Sequence, residues 1–394
     1  MPHRLSRSGR RWLGLLLLAG AWTCQAQIDP ERRNLLELGY DQTLIGHGPM
    51  GVYAYYYYNN PTCFNTNTVL RLAAAPVYLD GELGFRGLIS PHTDFGLGFY
   101  GGAFGDNYYE VRQGHYLKGE SFDGSGGGAA LGLYQLLNPG MLIPLSAVVR
   151  GGARYSAFAH TDDTAPGFAL PQDRITAFTR AGLRLGGKEP VLYPELGLEL
   201  SAWYERQWRF GTDPYGFGNS LSVTPAVDLY WVYAGLNYAW TNTGHRLSFA
   251  TTAGAAPNAD RFSAWRLGGV LPLVAEFPLV LPGYFYEEIT AQRFVHLYAS
   301  YQIPLDHQRH WNFRVEAATA LLDYLPGYEQ PDKWQTGVGC ALAYLRRRLT
   351  VVLRAGYGFN ALRDGREGGY SVGVLLQYDF SRRKPVAQDE IPEF

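Results

Sequence analysis

Residues 369–380, GYSVGVLLQYDF, alternate between apolar and polar side chains. The apolar positions are the even ones: Tyr370, Val372, Val374, Leu376, Tyr378 and Phe380. Because successive side chains of a strand point to opposite faces, the segment predicts a β-strand that separates an apolar phase from a polar one. Such a strand fits a barrel in a membrane, and it also fits the surface of a soluble β-sandwich.

The N-terminus separates these two possibilities. Residues 1–12 contain four arginines and no acidic residue, and a short apolar run, LGLLLLA, follows at 13–19. This is the pattern of a secretory signal peptide, and the run is too short to span a membrane as a helix. We therefore predict a signal peptide over residues 1–26, with cleavage after Ala26.

Composition favours a membrane protein without membrane-spanning helices. No later segment has the run of about 18 apolar residues that such a helix needs. Yet hydrophobic residues make up 46% of the chain, aromatic residues 15% and charged residues only 18%. An exported chain of this kind favours a β-barrel with aromatic girdles in the outer membrane of a Gram-negative bacterium. A secreted soluble β-protein is the alternative, and the net charge of −1 gives no reason to expect a nucleic-acid partner.

Counting alternating segments predicts an all-β fold, a transmembrane antiparallel β-barrel of about sixteen strands. The predicted strands are 36–46, 50–58, 68–79, 82–89, 94–104, 128–136, 145–158, 174–186, 195–209, 226–240, 246–262, 293–305, 311–322, 335–345, 349–359 and 369–380. The last strand carries the terminal signal of such barrels, namely Gly373, Leu376, Tyr378 and Phe380. Short and long connections alternate, as periplasmic turns and outer loops do in these proteins.

These boundaries divide the chain into three parts. We predict the signal peptide at 1–26, one barrel domain at 27–380 and a periplasmic tail at 381–394. The barrel begins so soon after the cleavage site that we expect no separate periplasmic domain. The Gly-rich segment 124–128 is predicted to be a flexible outer loop, because no Lys-Ser/Thr pair follows it as in a phosphate-binding loop.

The polar faces of several predicted strands carry charges of both signs. They are Arg180, Arg184, Glu195, Glu199, Arg314, Glu316 and Arg354. A charge facing lipid at the middle of a membrane would cost about 2–4 kcal/mol, so these side chains should face the lumen. Two interpretations remain open. The charges set the ion preference of a pore, or they form structural salt bridges across a closed lumen.

The longest late connection contains two short motifs. They are Leu267-Gly268-Gly269 and, after a gap, Leu281-Pro282-Gly283-Tyr284. With the acidic residues and the strands that follow, residues 260–380 resemble the bacterial surface antigen superfamily of outer-membrane assembly and translocation barrels. The resemblance implies sixteen strands and a sixth outer loop that folds into the lumen. Five strands follow this loop in the family, and five are predicted after it here.

Two departures from the family's pattern bear on function. Pro282 replaces the arginine at the tip of the family's loop, so the ion pair that pins that loop is absent, and only Gly283 and Tyr284 carry over. The family's periplasmic POTRA domains are also missing. We expect a protein or lipid assembly or translocation-type barrel without these domains. A passive porin for small solutes and a barrel enzyme are the alternatives.

The expected partners are outer-membrane lipid and the machinery that inserts barrels, and a periplasmic or membrane protein partner is left open. No enzymatic activity, cofactor or metal site is predicted. His307 and His310 lie in one predicted turn and are expected to be solvated, because zinc needs further ligands at the correct spacing. The enzyme alternative needs a base beside a nucleophile, and its candidates are His160, Asp162 and Asp163 in one loop.

Overall fold

The computed structural model describes residues 32–75, 78–102, 108–187, 196–269 and 277–381. Within them, sixteen long antiparallel strands form one sheet that closes on itself, because the last strand pairs with the first. This confirms the predicted all-β fold, an antiparallel barrel of sixteen strands. The predicted signal peptide and the tail beyond Ser381 lie outside the described residues.

The strands in chain order are β1 (Arg33–Thr43), β2 (Gly51–Asn60), β3 (Thr68–Ala75), β4 (Tyr78–Ser90), β5 (Thr93–Gly102), β6 (Val111–Arg112), β7 (His115–Tyr116), β8 (Asp123–Leu136), β9 (Leu145–Ala159), β10 (Phe168–Ala169), β11 (Arg174–Gly186), β12 (Leu196–Phe210), β13 (Gly216–Phe217), β14 (Ala226–Ala239), β15 (Arg246–Ala255), β16 (Trp265–Leu267), β17 (Ile289–Pro304), β18 (Trp311–Tyr324), β19 (Trp334–Arg346), β20 (Leu349–Arg363) and β21 (Arg366–Asp379). The short strands β6, β7, β10, β13 and β16 lie in the connections, and the other sixteen form the wall. Among the described residues, no helix has the length and apolar composition needed to cross a membrane.

The strand predicted at 246–262 is too long. β15 ends at Ala255, and the chain then turns, with the Ala259 amide donating to the Ala256 carbonyl at 3.0 Å. Pro257 lies inside this turn and has no N–H with which to extend a ladder. The alternating pattern that predicts this strand therefore ends at Ala255.

The prediction of a flexible loop at 124–128 is wrong, because this Gly-rich segment belongs to strand β8. A Cβ at Gly126 would lie only 1.9 Å from the Tyr155 carbonyl oxygen of β9, and one at Gly128 would lie 2.5 Å from the Ala153 carbonyl oxygen. Glycine therefore allows two neighbouring strands to approach more closely than any residue with a side chain would.

The two faces of the wall differ in polarity. Outward positions carry large apolar side chains, among them Leu183, Val232 and Leu353, each of which is about half exposed. Aromatic rings also point outward where the chain termini lie, and there the ring centroids of Trp311 and Tyr344 are 4.8 Å apart. We call this end of the barrel the terminal end and the opposite end the loop end. The apolar band with an aromatic border has the chemistry of a lipid-facing surface.

Aromatic side chains from four connections pack together at the loop end. Tyr108 and Phe122 precede β8, Phe168 follows β9, Tyr215 follows β12 and Phe262 follows β15. Phe122 lies at the centre, with its ring centroid 5.3 to 6.5 Å from the other four rings. We call this cluster the cap.

Candidate functional site: a loop inside the barrel

The connection between β15 and β17 is described over residues 256–269 and 277–288, and we call it the lumen loop because the second of these parts enters the barrel. Its segment from Leu281 to Tyr284 lies against the inward faces of β19, β20 and β21. The Gly283 amide donates to Ser371 Oγ of β21 at 2.8 Å. The Tyr284 hydroxyl donates to Gln335 Oε1 of β19 at 2.8 Å. The loop therefore occupies part of the lumen.

The two predicted motifs of this loop come together. The Leu281 amide donates to the Gly269 carbonyl at 3.1 Å, and the Gly268 amide donates to the Leu279 carbonyl at 3.1 Å. Leu267, Leu281 and Tyr284 are completely buried in one apolar cluster with β17 and β18. The residues between the motifs, 270–276, lie outside the described part of the chain.

Glycines on both surfaces make this close contact possible. A Cβ at Gly337 would lie 2.1 Å from the Pro282 carbonyl oxygen, and one at Gly356 would lie 2.6 Å from Pro282 Cβ. Gly283 adopts a φ of +91°, and a Cβ there would lie 1.9 Å from the Gly358 amide nitrogen. The tip of the loop therefore packs backbone to backbone on the wall.

A buried ion pair pins the lumen loop to β20. Arg363 donates to both carboxylate oxygens of Glu288 at 2.7 Å each, and the two side chains are 1% and 0% exposed. Glu288 also accepts the Phe285 amide at 2.7 Å, and the Arg363 guanidinium lies 3.7 Å from the centroid of the Phe285 ring. Although Pro282 at the loop tip has no charge, an ion pair holds the loop, with the carboxylate on the loop and the cation on the wall.

Sequence reasoning missed both members of this pair. Glu288 was visible only as one of two acidic residues after the tip. Arg363 lies beyond the strand predicted at 349–359, which in fact continues to residue 363. Arg354, an even-numbered residue of β20, faces inward. A register shift after Gly358 changes the alternation, so that Arg363, nine positions later and odd-numbered, also faces the lumen. Alternation alone could therefore not have placed Arg363 there.

The lumen loop also contacts the opposite side of the barrel. The Phe277 ring lies 6.2 Å from Trp203 of β12 and 6.3 Å and 5.2 Å from Trp231 and Tyr233 of β14. Trp203 and Trp231 stack on each other with centroids 6.0 Å apart. Since Phe277 touches this wall and Gly283 touches the far one, the described end of the loop crosses the lumen.

Three of the predicted lumen charges, Arg180, Arg184 and Glu199, form ion pairs between β11 and β12. Arg184 lies 2.9 Å from Glu199, and Arg180 lies 2.7 Å from Glu205. Glu205 was not predicted, although it occupies the same odd-numbered face of β12 as Glu199. Glu195 lies outside the described residues.

The other predicted charges meet on the inner wall beneath the loop tip. Arg354 of β20 donates to Glu316 of β18 at 2.7 Å, with both side chains almost completely buried. The Tyr298 hydroxyl donates to the same carboxylate at 2.8 Å, and Arg314 lies 3.6 Å from it. Two arginines therefore share one carboxylate within the wall.

The residues of the predicted terminal signal lie in or next to β21, which pairs with the first strand, β1. The register pairs are Gly373 with Asp41, Leu376 with Leu38 and Tyr378 with Leu36. The Phe380 amide donates to the Asn34 carbonyl at 2.8 Å. The segment that carries the terminal signal is thus the strand edge at which the barrel closes.

A second buried charge cluster connects the cap to the lumen loop. Glu110, which is fully buried, lies 2.5 Å from Arg261 of the lumen loop and 2.8 Å from Arg112. The Tyr328 hydroxyl donates to it at 3.1 Å. Burial raises the pKa of the Glu110 carboxyl, and the two arginines oppose that rise. Three connections therefore meet at one carboxylate.

The described contacts of the residues considered for other chemistry are with different groups. His160 Nε2 lies 3.1 Å from the Phe168 carbonyl oxygen, and Asp163 lies 3.6 Å from Lys118. His310 Nδ1 lies 3.9 Å from Asp306 in an exposed turn. Within the described part of the chain, no group of three or more His, Cys, Asp and Glu side chains is placed to hold a metal ion.

No protein-family model and no curated protein matches this sequence. Solved structures match its fold. CdiB from Acinetobacter baumannii has a TM-score of 0.58 over 89% of this chain at 11% identity, and CdiB from Escherichia coli has 0.54 over 89% at 15%. BamA from Haemophilus ducreyi lacking POTRA domains 1–3 has 0.53 over 88% at 9%. The chain spans 60% and 63% of the two CdiB chains and 70% of that BamA chain. The likeness concerns the fold.

Proposed function

We propose that this chain belongs to the bacterial surface antigen superfamily and acts as a protein or lipid assembly or translocation-type barrel in a Gram-negative outer membrane. The observation that carries the proposal is the lumen loop, pinned to the inner wall by Glu288 and Arg363. The fold likeness to the CdiB and BamA structures supports it. In this proposal the terminal end faces the periplasm and the cap faces outward.

Two features disfavour a passive porin. The lumen loop crosses the barrel between Phe277 and Gly283, and the cap packs the connections together at the loop end. Both therefore lie in the path that a small solute would take through the barrel. The paired charges on β11, β12, β18 and β20 fit structural salt bridges better than an ion-selective ring, because each has a counter-charge within 4 Å.

The proposal implies particular partners. Outer-membrane lipid would contact the outward apolar band, and the barrel assembly machinery would insert the chain. A periplasmic or membrane protein would deliver or receive the client. No cofactor or metal is needed, and no enzymatic activity is proposed.

Single-channel recording tests the plugged lumen on which the proposal depends. Purified, refolded protein would be placed in planar bilayers alongside Arg363→Ala and a deletion of residues 270–288. Arg366→Ala, which removes an exposed arginine three positions further on, is the matched control. We expect the wild type and Arg366→Ala to be silent, and Arg363→Ala and the deletion to conduct. Stable conductance of the wild type would favour the porin. Silence of all four proteins would show that the loop is not what blocks conduction.

A client assay tests the activity itself. Proteoliposomes that contain the barrel would receive a urea-unfolded eight-stranded barrel protein or an unfolded secreted polypeptide, and protease protection would be followed over time. Liposomes with an unrelated porin are the control. Faster protection of the barrel client supports assembly, and protection of the secreted polypeptide supports translocation. Rates equal to the control for both clients would contradict the proposal.

A further inference from the structure

An ion pair on the outward face of the wall joins β12 and β14. Arg206 Nη1 lies 3.3 Å from Asp228 Oδ1, and the Tyr204 hydroxyl donates to the same oxygen at 2.7 Å. Arg206 shares the even-numbered, outward face of β12 with the exposed Leu200 and Trp208. Both of its contacts with the carboxylate use Nη1, and its side chain is 41% exposed. The guanidinium therefore has donors left for a ligand that approaches from the membrane.

The height of this pair matches one border of the apolar band. Tyr238 of β14 belongs to the aromatic border at the terminal end, where its ring centroid lies 4.9 Å from that of Trp240. Tyr238 and Asp228 are ten positions apart on this strand. At about 3.3 Å per residue and a tilt of about 35–45°, ten positions span about 25 Å, which is the height of the apolar band of such barrels. Arg206 and Asp228 therefore lie at the level of the lipid headgroups on the loop-end side.

An apolar groove of about 350 Å³ lies on the same outward face, closer to the middle of the band. It is lined by small side chains, among them Ala202 and Ala234, and by larger ones, among them Leu183 and Leu200. Ala202 and Arg206 are four positions apart on β12, which is about 10 Å along the barrel axis. The groove therefore lies where an acyl chain would pass if the headgroup of the same lipid contacted Arg206.

We propose that this face binds one molecule of a zwitterionic phospholipid with an ethanolamine headgroup. The Arg206 guanidinium matches the phosphate, because its N–H groups form charge-assisted hydrogen bonds to phosphate oxygens. The Asp228 carboxylate accepts an N–H of the ammonium group, beside the rings of Tyr204 and Tyr230, whose centroids are 5.1 Å apart. One acyl chain occupies the groove. The proposal goes beyond the proposed function, because it needs only a barrel that lies in a membrane.

The two opposite charges select the headgroup. A headgroup with a negative charge alone would meet the Asp228 carboxylate as a like charge. A choline headgroup carries both charges, but its ammonium has no N–H to donate. Ethanolamine supplies a phosphate for Arg206 and an N–H donor for Asp228 at the same time.

A second outward pair lacks these neighbours and provides the control. Arg293 of β17 and Asp323 of β18 lie 4.0 Å apart, with side chains that are 64% and 55% exposed. Among the described residues, none of those that line the groove belongs to β17 or β18. A lipid that recognises only a surface arginine would therefore bind equally well at both pairs.

Native mass spectrometry of the refolded protein in detergent micelles tests this site. The probes are phosphatidylethanolamine, phosphatidylcholine and phosphatidylglycerol with identical acyl chains, each titrated separately. We expect one ethanolamine lipid to bind about tenfold more tightly than either of the others. Arg206→Gln should weaken that binding about tenfold, because the hydrogen bonds to the phosphate lose their charge. The matched control, Arg293→Gln, should leave it unchanged.

Two further variants separate the headgroup from the chain. Asp228→Asn removes the negative charge, so the preference for ethanolamine over glycerol should be lost. Ala202→Phe places a ring in the groove and should weaken the binding of all three lipids. Its control, Ala317→Phe at an exposed outward alanine of β18, should not. Heat-dependent gel mobility would show that each variant is folded.

Four outcomes would overturn the proposal. They are equal binding of the three lipids, tightest binding of the glycerol lipid, equal losses in Arg206→Gln and Arg293→Gln, and tighter binding of a lipid A that carries phosphoethanolamine, added as a fourth probe. A protein dimer that Ala202→Phe dissociates would assign the groove to a second copy of the chain and would also overturn it. The lumen loop takes no part in this site, so a conducting wild type would contradict the plugged barrel without changing these results.

Discussion

Arg363 of β20 binds both carboxylate oxygens of Glu288, 75 residues earlier in the chain, at 2.7 Å each. The pair lies where the lumen loop returns to the wall, and it is sealed from water beneath the Phe285 ring. The loop, whose tip carries the uncharged Pro282, is therefore held by a charge from the wall. The attachment needs both Glu288 and Arg363.

Breaking this pair should destabilise the barrel more than removing it entirely. Arg363→Ala leaves a buried, unpaired carboxylate, and we expect a loss of about 3–5 kcal/mol in the free energy of unfolding. The double variant Glu288→Ala, Arg363→Ala should lose less than Arg363→Ala alone, and therefore less than the sum of the two single variants. Urea unfolding in lipid vesicles, followed by tryptophan fluorescence, measures this. Additive losses would show that the two side chains are not coupled.

The second buried pair should respond to an arginine placed on the loop. Pro282 packs on Gly356, which stands opposite Gly339 in register, and a Cβ at Gly339 would lie 3.0 Å from Glu316 Oε1. Position 282 is therefore adjacent to the carboxylate that Arg354 now holds. Arg354→Ala should cost up to about 3–5 kcal/mol, because it leaves the buried Glu316 carboxylate with only the more distant Arg314 as a counter-charge.

Adding Pro282→Arg to Arg354→Ala should recover part of that loss, because the new guanidinium can reach Glu316. The same unfolding measurement applies, with Pro282→Arg alone as the control for strain at the tip. If Pro282→Arg alone is harmless and the double variant is no more stable than Arg354→Ala, the side chain at position 282 does not reach Glu316.

The loop tip should tolerate no side chain at Gly283. Gly283 and Gly327 have nearly the same φ, +91° and +89°, but a Cβ would meet Gly358 at 1.9 Å in the first case and nothing within 4 Å in the second. Gly327→Ala should cost about 1–2 kcal/mol from backbone strain alone. Gly283→Ala should cost clearly more and should open the lumen in bilayer recordings. Equal losses of unfolding free energy would argue against the backbone contact.

The sequence predicts the wall well because each outward position meets the same environment. A strand in lipid must be apolar at every second residue, so local alternation suffices to locate β11 at 174–186 without any knowledge of its neighbours. The method fails at 124–128, where glycine has no side chain to report a face. It also fails at Pro257, where alternating small residues continue into a turn.

The site was only partly predictable, for a related reason. The motif residues Gly269 and Leu281 could be identified from their own sequence, but the partner of Glu288 depends on how β20 continues past Gly358. Likewise, alternation places Glu199 and Glu205 on one face, while the register of β11 with β12 decides that Arg180 stands opposite Glu205. Register is a property of the closed sheet and not of any one segment.

The reassigned Gly-rich strand supplies a further test. A Cβ at Gly126 would overlap the Tyr155 carbonyl oxygen, whereas one at Gly151 on the next strand would make an ordinary contact at 3.6 Å with the Phe178 carbonyl oxygen. Gly126→Ala should therefore reduce the free energy of unfolding by at least about 1–3 kcal/mol, and Gly151→Ala should leave it nearly unchanged. A harmless Gly126→Ala would instead indicate that this segment is loosely attached to β9.

Acidification should weaken the turn between β17 and β18. Asp306 accepts the Trp311 amide at 2.7 Å, and this hydrogen bond lowers the pKa of its carboxyl below the ordinary value of 3.8. Because the pKa is lower in the folded state, the stabilisation is fully present above the unfolded pKa and is lost as pH falls through the folded one. Asp306→Asn should remove this component, so that stability falls less between about pH 5 and pH 2 than in the wild type. Urea unfolding across that range measures it, with Asp364→Asn in the exposed β20–β21 turn as the control. An unchanged pH profile in Asp306→Asn would show that the Trp311 hydrogen bond does not favour the ionised carboxyl.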